Sequence, residues 1–245
     1  MIKKYQLLAM DMDGTLLNEQ SEISTENEHW IKWAMEQGIT VCLATGRGYQ
    51  SALPFARQLG LDSPMVLVNG SEVWASPEQL LHRTLMPAES IRKLRELALQ
   101  YDCWYWAYSS EGVYNKQTWL ADNEDKEWLK FGFYTEDVQT MLAIREAIPD
   151  IGSFEITNSH PSNMELNPAG ISKASGLRRV CELLSMSMND IIAVGDSLND
   201  LAMIREAGLG IAMGNAQEVV KQAADATTLD HNQDAIAAII QQYLK

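Results

Sequence analysis

The sequence predicts an α/β fold in which a parallel sheet is covered by helices on both faces, with a smaller α+β module inserted into it. Near both ends of the 245-residue chain, short apolar runs alternate with segments of helical periodicity. This alternation is the pattern of parallel strands joined by helices. Between these ends, two helical segments mix with alternating, strand-like segments. The change in pattern predicts a discontinuous core of residues 1–82 and 167–245, with residues 83–166 as the inserted module.

The core elements follow from the period of the apolar residues and from the residues that end each run. Short apolar runs are typical of buried strands, and apolar residues three to four positions apart indicate helices. Gly38 ends the first helix, and Asn69-Gly70 is a tight-turn pair after the third strand. In chain order, the expected core strands are residues 5–10, 39–44, 65–68, 71–74, 191–194 and 209–212. The expected core helices are residues 24–37, 50–59, 172–184, 198–206, 216–223 and 234–244.

The inserted module is expected to contain helices at residues 88–100 and 136–148 and strands at 103–108, 152–157 and 163–166. Seven aromatic residues lie between positions 101 and 119, and strand geometry places Trp104, Trp106 and Tyr108 on one face. We expect these aromatic residues to form the core of the module; the alternative is a wall that stacks on a sugar or a base. The module also holds two weaker candidates for substrate contact, His160 and Asn163. The acidic stretch at residues 122–127 is expected to be a solvated face.

Composition and charge narrow the possible partners and the compartment. The net charge is −14, from 33 acidic and 19 basic residues, which disfavours a nucleic-acid polymer or an anionic membrane as partner. Three well-separated cysteines without a CxxC pair favour a reducing compartment. No apolar run approaches the roughly 20 residues that span a bilayer, and no signal-peptide region develops. We therefore expect a cytoplasmic protein, either a monomer or a homodimer.

Polar residues of the kind that build sites follow three of the predicted strands. These segments are Asp11-Met12-Asp13-Gly14-Thr15, Thr45-Gly46-Arg47-Gly48 and Gly195-Asp196-Ser197-Leu198-Asn199-Asp200. Because ligands of an open parallel sheet bind at the carboxyl ends of its strands, the three segments are expected to meet. Taken alone, each has a simpler interpretation, as a solvated loop, a turn or a helix cap.

The residue types at this edge predict a magnesium site next to a phosphate site. Carboxylates that converge repel one another unless a cation lies among them, and oxygen ligands without His or Cys favour Mg²⁺. The expected carboxylates are Asp11, Asp13, Asp196 and Asp200. Thr45 and the backbone N–H groups after it suit phosphate oxygens, and Lys173 is the matching cation, although a surface lysine is the simpler interpretation of that residue alone. A dinucleotide fingerprint at residues 46–51 is disfavoured, because Ser51 stands where the third glycine belongs.

The four motifs Asp11-Met12-Asp13-Gly14-Thr15-Leu16, Thr45-Gly46-Arg47, Lys173 and Gly195-Asp196-Ser197-Leu198-Asn199-Asp200 resemble, in this order, those of the haloacid dehalogenase (HAD) superfamily. The insert between the second and third motifs resembles the C2-type cap of the Cof-like, type IIB phosphatases. The resemblance covers essentially the whole chain. It implies a Rossmann-like catalytic core and a cap domain that opens and closes over the site.

The resemblance also implies a mechanism and a role for each motif residue. Asp11 is then the nucleophile that forms an aspartyl-phosphate, and Asp13 is the general acid and base. Mg²⁺ is then bound by the Asp11 carboxylate, the Asp13 backbone carbonyl and Asp196. Asp200 either lies outside these ligands without contacting the ion or is a further ligand. The groups that hold the phosphoryl oxygens are Thr45, the Gly46 N–H, Lys173, Asn199 and the Met12 N–H. Arg47 is expected either to reach the substrate or to pair with an acid of the core.

The implied activity is hydrolysis of small phosphomonoesters, such as a sugar phosphate, a nucleotide or a cofactor phosphate. Dehalogenation is disfavoured, because dehalogenases of this superfamily lack the acid that stands here as Asp13. A phosphotransferase or phosphomutase is a weaker alternative, since mutases usually carry the other cap type. The alternative from another class is a non-catalytic protein that binds a phosphorylated metabolite, which would need neither Asp11 nor Asp13.

Overall fold

The computed structural model describes residues 5–119 and 126–245. The predicted acidic stretch therefore lies outside the described residues, except for Lys126 and Glu127. The chain divides into two compact units, each described here by itself. We call Met1–His82 with Ser172–Lys245 the core unit and Arg83–Ile171 the insert unit. The second boundary lies after residue 171, where the sequence analysis places it after residue 166.

The core unit is built on a sheet in the order β13-β12-β11-β1-β2-β3-β4-β5. Neighbours from β13 to β3 run parallel, and β4 is antiparallel to β3. On β1, Leu7 and Ala9 pack with residues of α5 and α6, whereas Leu8 and Met10 are buried on the other face. The sheet strands are β1 (Leu7–Met10), β2 (Thr40–Ala44), β3 (Met65–Leu67), β4 (Glu72–Ser76), β5 (Gln79–Arg83), β11 (Ile191–Gly195), β12 (Leu209–Ala212) and β13 (Ala226–Thr227).

Two helices of the core unit begin at serines that cap them. Ser24 accepts the Asn27 N–H at the start of α1, and Ser172 forms a capping box with Ser175 at the start of α5. A 3₁₀ turn at Leu198–Asp200 precedes α6, so the helix predicted from residue 198 begins later. The helices are α1 (Thr25–Glu36), α2 (Tyr49–Leu59), α5 (Lys173–Leu184), α6 (Leu201–Glu206), α7 (Glu218–Ala223) and α8 (Ala235–Tyr243).

The insert unit is an antiparallel sheet in the order β7-β6-β8-β10-β9, with two helices on one of its faces. Tyr105, Phe131 and Phe133 point to the helices and form the buried cluster of this unit. Its elements are α3 (Ala88–Gln100), β6 (Trp104–Ser109), β7 (Val113–Asn115), β8 (Trp128–Tyr134), α4 (Val138–Ala147), β9 (Phe154–Thr157) and β10 (Asn163–Pro168).

The structure confirms the predicted fold class, a parallel-sheet α/β core with an α+β insert. The central strand of the insert, β8, was missed by the sequence analysis, as were β5, β7 and β13. β8 is hard to predict because Lys130 and Gly132 interrupt its apolar residues, and both residue types are depleted in strands. Among the described residues, no helix is both long and apolar enough to cross a bilayer.

Candidate active site

The predicted site residues gather at one edge of the parallel sheet, where β1, β2 and β11 end. Asp11 follows β1 directly, Thr45 follows β2, and Asp196 follows Gly195 at the end of β11. The Asp11 N–H donates to the carbonyl of Val194 at 3.0 Å, which extends the pairing of β1 with β11 as far as the site. Because β1 lies between β2 and β11, the three loops leave the sheet side by side.

A buried lysine joins two carboxylates at this edge. Lys173 is the first residue of α5 and is fully buried. Its Nζ donates to Asp11 Oδ1 at 2.6 Å and to Asp200 Oδ1 at 2.7 Å. A cation at a helix N-terminus opposes the helix dipole, so these carboxylates have to compensate for it. Burial alone would lower the pKa of Lys173, but Asp11 and Asp200 outweigh burial and raise that pKa, so the amine stays charged.

Three carboxylates, those of Asp11, Asp196 and Asp200, come together beside this lysine. One oxygen atom from each lies within 4.8 Å of the other two. Burial raises the pKa of Asp11 well above its usual range; Lys173 opposes the shift, and the negative charges of Asp200 and Asp196 add to it. Burial and the charge of Asp200 raise the pKa of Asp196 to about 7. Burial is the largest cause of both shifts, and the neighbouring carboxylates add to it.

The chemistry of this group fits a divalent metal ion. Three ionised carboxylates and one ammonium leave two negative charges, which one divalent cation balances. All the ligand atoms offered are oxygens, which hard cations prefer. Each pair of these oxygens lies within 4.8 Å, and opposite ligands of an octahedral Mg²⁺ lie about 4 Å apart. The described residues therefore contain an acidic group that can bind a metal ion.

Short polar residues fix the orientation of Asp196 and Asp200. Asp200 Oδ2 accepts the N–H groups of Asp196 and Ser197 at 2.9 and 3.0 Å. Ser197 Oγ donates to Asp196 Oδ2 at 2.8 Å, and Thr15 Oγ1 donates to Asp196 Oδ1 at 3.4 Å. A Cβ at Gly195 would lie 2.3 Å from the Asp200 carboxyl carbon, so only glycine fits there. Thr15 and Ser197 lie within the predicted motifs, but the sequence indicated no role for either residue.

The Asp13 carboxylate lies outside the acidic group and pairs with Arg47. The Arg47 guanidinium donates from Nε and Nη2 to the two oxygens of Asp13, at 2.8 and 2.6 Å. The Asp13 side chain is 58% exposed and that of Arg47 is 22% exposed. This contact with a core acid is one of the two alternatives that the sequence leaves for Arg47, and its contact with substrate stays a prediction. The predicted metal contact of Asp13 through its backbone carbonyl stays a prediction.

The remaining groups predicted to hold phosphate lie in the loops that follow β1 and β2. Thr45 is fully buried, and its Oγ1 accepts the Arg47 N–H at 3.2 Å. Because that contact uses the hydroxyl as an acceptor, its proton can be donated elsewhere. Gly46 is half-buried between Thr45 and Arg47. Met12 is buried, and its carbonyl accepts the Leu17 N–H at 2.9 Å.

Asn199 is held by a residue for which the sequence analysis predicted only a turn. Its Nδ2 donates to Asn69 Oδ1 at 3.3 Å, and both side chains are buried. The Oδ1 of Asn199 has no hydrogen-bond partner among the described residues. An Asn-Gly pair after a strand predicts a turn but gives no sign that its side chain reaches another loop.

The insert unit presents an aromatic and charged face on the side of its sheet opposite the helices. Trp104, Trp106 and Tyr108 point to this face, because Tyr105 and Ala107 between them belong to the buried cluster. The expectation that all seven aromatic residues form the core is therefore wrong for these three. Four of the seven contribute to the core or pack against it: Tyr101, Tyr105, Tyr114 and Trp119.

A buried ion pair lies on the same face of the insert sheet. Lys130 Nζ lies 3.2 Å from Glu165 Oε2, and both side chains are nearly fully buried. The ammonium also lies 4.6 Å from the centre of the Tyr108 ring. Ser159 Oγ donates to Glu165 Oε1 at 3.1 Å. This face therefore combines aromatic surface with groups that can form charged hydrogen bonds.

The two predicted loop candidates of the insert unit form contacts within their own loop. Asn163 Oδ1 accepts the N–H groups of Ser159 and His160 at 3.1 and 3.3 Å. His160 is exposed, and its Nδ1 accepts the Ser162 N–H at 3.1 Å. These contacts give both residues a structural role in the loop that does not depend on a substrate.

Comparison with known proteins gives consistent results over the whole length of the chain. The family model described as haloacid dehalogenase-like hydrolase matches residues 8–127 and 115–240. A 5-amino-6-(5-phospho-D-ribitylamino)uracil phosphatase of Bacillus subtilis is 41% identical over 240 residues, which cover 98% of this chain and 96% of the relative.

Two solved structures are similar to the whole chain. A haloacid dehalogenase-like hydrolase from Bacteroides thetaiotaomicron has a TM-score of 0.82 at 30% identity, with 98% of this chain and 99% of that chain covered. A subclass IIB sugar phosphatase of the HAD superfamily has a TM-score of 0.83 at 21% identity, with 97% and 98% covered. The second similarity concerns the fold alone.

Proposed function

Because the chain belongs to the haloacid dehalogenase-like hydrolase family, we propose that it hydrolyses small phosphomonoesters with Mg²⁺, through an aspartyl-phosphate on Asp11. The activity class, phosphoric monoester hydrolase, follows from the family and from its phosphatase relatives. The metal, the roles of the residues, the substrate and the roles of the two units are our proposal. We assign catalysis to the core unit and the part of a C2-type cap to the insert unit.

Mg²⁺ is the metal that best suits the acidic group. Asp11, Asp196 and Asp200 would hold it, with the Asp13 carbonyl as a further ligand. The ion would offset the repulsion between a carboxylate nucleophile and an anionic phosphate. Lys173 already supplies one positive charge beside Asp11 and Asp200, so the carboxylates of the site are ionised when the metal is bound.

In the first step, an Asp11 carboxylate oxygen attacks phosphorus while the bond from phosphorus to the substrate oxygen breaks. Asp13 gives its proton to the departing oxygen, so the alcohol leaves as a neutral molecule. Lys173, Thr45, Asn199 and the N–H groups of Met12 and Gly46 hold the phosphoryl oxygens during transfer.

In the second step, water cleaves the aspartyl-phosphate. Asp13, now ionised, removes a proton from the water as its oxygen attacks phosphorus. The bond between phosphorus and the Asp11 oxygen breaks, inorganic phosphate leaves, and both carboxyl groups return to their starting states.

The observation that carries the proposal is the buried Lys173 that bridges Asp11 and Asp200 beside Asp196. We expect phosphate release from a panel of phosphomonoesters in Mg²⁺, loss of release in EDTA, and loss of release in Asp11→Asn. Asp62→Asn, at an exposed aspartate of the core unit, is the matched control and should keep full activity. Release that survives both EDTA and Asp11→Asn contradicts the mechanism.

For the substrate, we propose a phosphomonoester whose alcohol carries a flat heteroaromatic ring. The Bacillus subtilis relative acts, by its name, on a phosphoribitylaminouracil. The face with Trp104, Trp106 and Tyr108 offers stacking surface for such a ring. Lys130 and Glu165 form a nearly fully buried ion pair on the same face, beside the Tyr108 ring.

A pair of substrates with and without the ring tests this proposal. We expect kcat/KM for 5-amino-6-(5-phospho-D-ribitylamino)uracil to exceed that for ribitol 5-phosphate by about two- to tenfold, the range of one aromatic stacking contact. Trp106→Leu should reduce this preference and leave ribitol 5-phosphate hydrolysis unchanged. Trp30→Leu, on α1, is the control. Equal rates for the two esters in the wild-type protein contradict the proposed substrate class.

Small phosphorylated molecules are thus the partners we assign to this chain. A cytoplasmic location stays a prediction, supported by three free cysteines that are all buried. A monomer or a homodimer is the expected assembly.

A further inference from the structure

The turn after β3 has three consecutive residues in the left-handed region. The φ angles are +51° at Val68, +56° at Asn69 and +100° at Gly70. Glycine tolerates this conformation and asparagine visits it, but a β-branched valine is rarely found there. A run of this kind persists only where the surrounding structure holds it in place.

The groups that hold this turn belong to the loops that carry the site residues. The Val68 N–H donates to the carbonyl of Arg47, and the Asn69 N–H donates to the carbonyl of Thr45, both at 3.0 Å. A Cβ at Gly70 would lie 2.2 Å from the carbonyl oxygen of Ser172, the residue before Lys173. The turn is therefore packed against the loop after β2 and against the first turn of α5.

The Asn69 side chain reaches the loop after β11. It is 2% exposed, and its Oδ1 accepts one N–H of the Asn199 amide at 3.3 Å. A primary amide has two N–H donors and one acceptor oxygen. With one donor on Asn69, Asn199 keeps its second N–H for a substrate oxygen, and its buried Oδ1 has no partner among the described residues.

We propose that Asn69 is a positioning residue for phosphoryl transfer. Its amide oxygen selects the orientation of the Asn199 amide, and the left-handed turn keeps that oxygen in place between the loops that carry Thr45 and Lys173. The inference rests on the proposed function, because it requires Asn199 to hold the transferring phosphoryl group.

Asn69→Gly tests the proposal, because glycine accepts the left-handed backbone and removes only the amide. We expect kcat/KM for a phosphomonoester to fall about tenfold, the loss expected for one hydrogen bond. The inhibition constant for orthovanadate should rise by a similar factor. Ser185→Gly, at an exposed left-handed residue after α5, is the matched control and should change neither quantity.

A double variant separates positioning from a loss of folding. In an Asn199→Ala background, Asn69→Gly should lower kcat/KM by less than about twofold, because the amide that it orients is already gone. The melting temperatures of Asn69→Gly and Ser185→Gly should both stay near that of the wild-type protein. Full activity in Asn69→Gly, or independent losses in the double variant, overturns the inference alone. A wild-type protein that hydrolyses no ester and does not bind orthovanadate overturns the proposed function and, with it, this inference.

Discussion

The guanidinium of Arg47 holds both carboxylate oxygens of Asp13, at 2.6 and 2.8 Å. A bidentate pair of this kind fixes the direction of the carboxylate as well as its distance. It also occupies the oxygens from which Asp13 would transfer a proton. For Asp13 to transfer a proton, at least one of these two hydrogen bonds has to open during turnover.

The first prediction concerns this pair. Arg47→Ala should lower kcat for an alkyl phosphate about tenfold, because an Asp13 that Arg47 no longer orients loses part of the 100- to 10,000-fold effect of a general acid. For p-nitrophenyl phosphate, whose leaving group needs no proton, the rate of the first turnover should change little, because only the later hydrolysis of the aspartyl-phosphate uses Asp13. Arg47→Lys keeps the positive charge but loses the two parallel N–H donors of the guanidinium. Its kcat for the alkyl phosphate should therefore lie between those of the wild-type protein and Arg47→Ala. An equal loss of the first-turnover rate on both esters would mean that Arg47 does not act through Asp13.

The second prediction concerns the two roles proposed for Asp13. With p-nitrophenyl phosphate, Asp13→Asn should release about one equivalent of nitrophenol quickly and then turn over slowly, because only the hydrolysis of the aspartyl-phosphate needs a base. Stopped-flow absorbance measures this burst. The double variant Asp11→Asn/Asp13→Asn should show no burst, and a burst in it would place the nucleophile elsewhere.

The positions of the carboxylates could be predicted from the sequence, because residues that follow adjacent parallel strands meet at one edge. Asp11 and Asp196 are such residues, and the structure places them together. The partner of Arg47 could not be predicted, because a guanidinium at this position reaches either a substrate or Asp13. The contact of Asn69 with Asn199 was missed for a different reason. Local turn chemistry explains an Asn-Gly pair completely, so no feature of the sequence indicates a contact across 130 positions.

In the insert unit, periodicity showed which aromatic residues share a face but not which face is buried. Trp104, Trp106 and Tyr108 alternate with Tyr105 and Ala107, and the larger side chains are the exposed or half-buried ones. The helices pack on the side with Tyr105, because Phe131 and Phe133 of β8 also lie there. Since β8 was not predicted, the side that the helices cover could not be assigned from the sequence.

The third prediction uses the charge balance around Lys173. Without metal, Lys173→Met leaves the buried carboxylates of Asp11 and Asp200 without their cation, which should lower the free energy of unfolding by about 3–5 kcal/mol at pH 8. The loss should be smaller at pH 5, because the carboxyl groups then bind protons. Thermal unfolding in EDTA at both pH values measures the difference. Lys32→Met removes an exposed pair with Glu28 and should have little effect at either pH.

The fourth prediction concerns metal binding and pH. In the folded, metal-free protein, burial raises the pKa of Asp196 to about 7, whereas the unfolded chain has a value of about 3.9. The folded state then binds the proton more tightly, so this contribution to stability is present at low pH and is lost as pH rises from about 4 to about 7. Mg²⁺ competes with that proton, so it should raise the melting temperature more at pH 8 than at pH 5.5. Asp196→Asn should remove most of this difference, and an equal Mg²⁺ effect at both pH values contradicts the assignment.

The last prediction concerns the aromatic face of the insert unit. Gly132 lies opposite Trp106 in the sheet, and a Cβ at Gly132 would lie 2.3 Å from the indole ring. Gly132→Ala should therefore displace Trp106 and lower the free energy of unfolding by about 1–3 kcal/mol, the usual result of overpacking. Tryptophan fluorescence and thermal unfolding measure the two effects. Gly112→Ala, where a Cβ meets no atom within 4 Å, should change neither. If Trp106 also stacks on the substrate ring, Gly132→Ala should reduce the preference for the ring-bearing ester while ribitol 5-phosphate hydrolysis stays the same, because the core unit is unchanged.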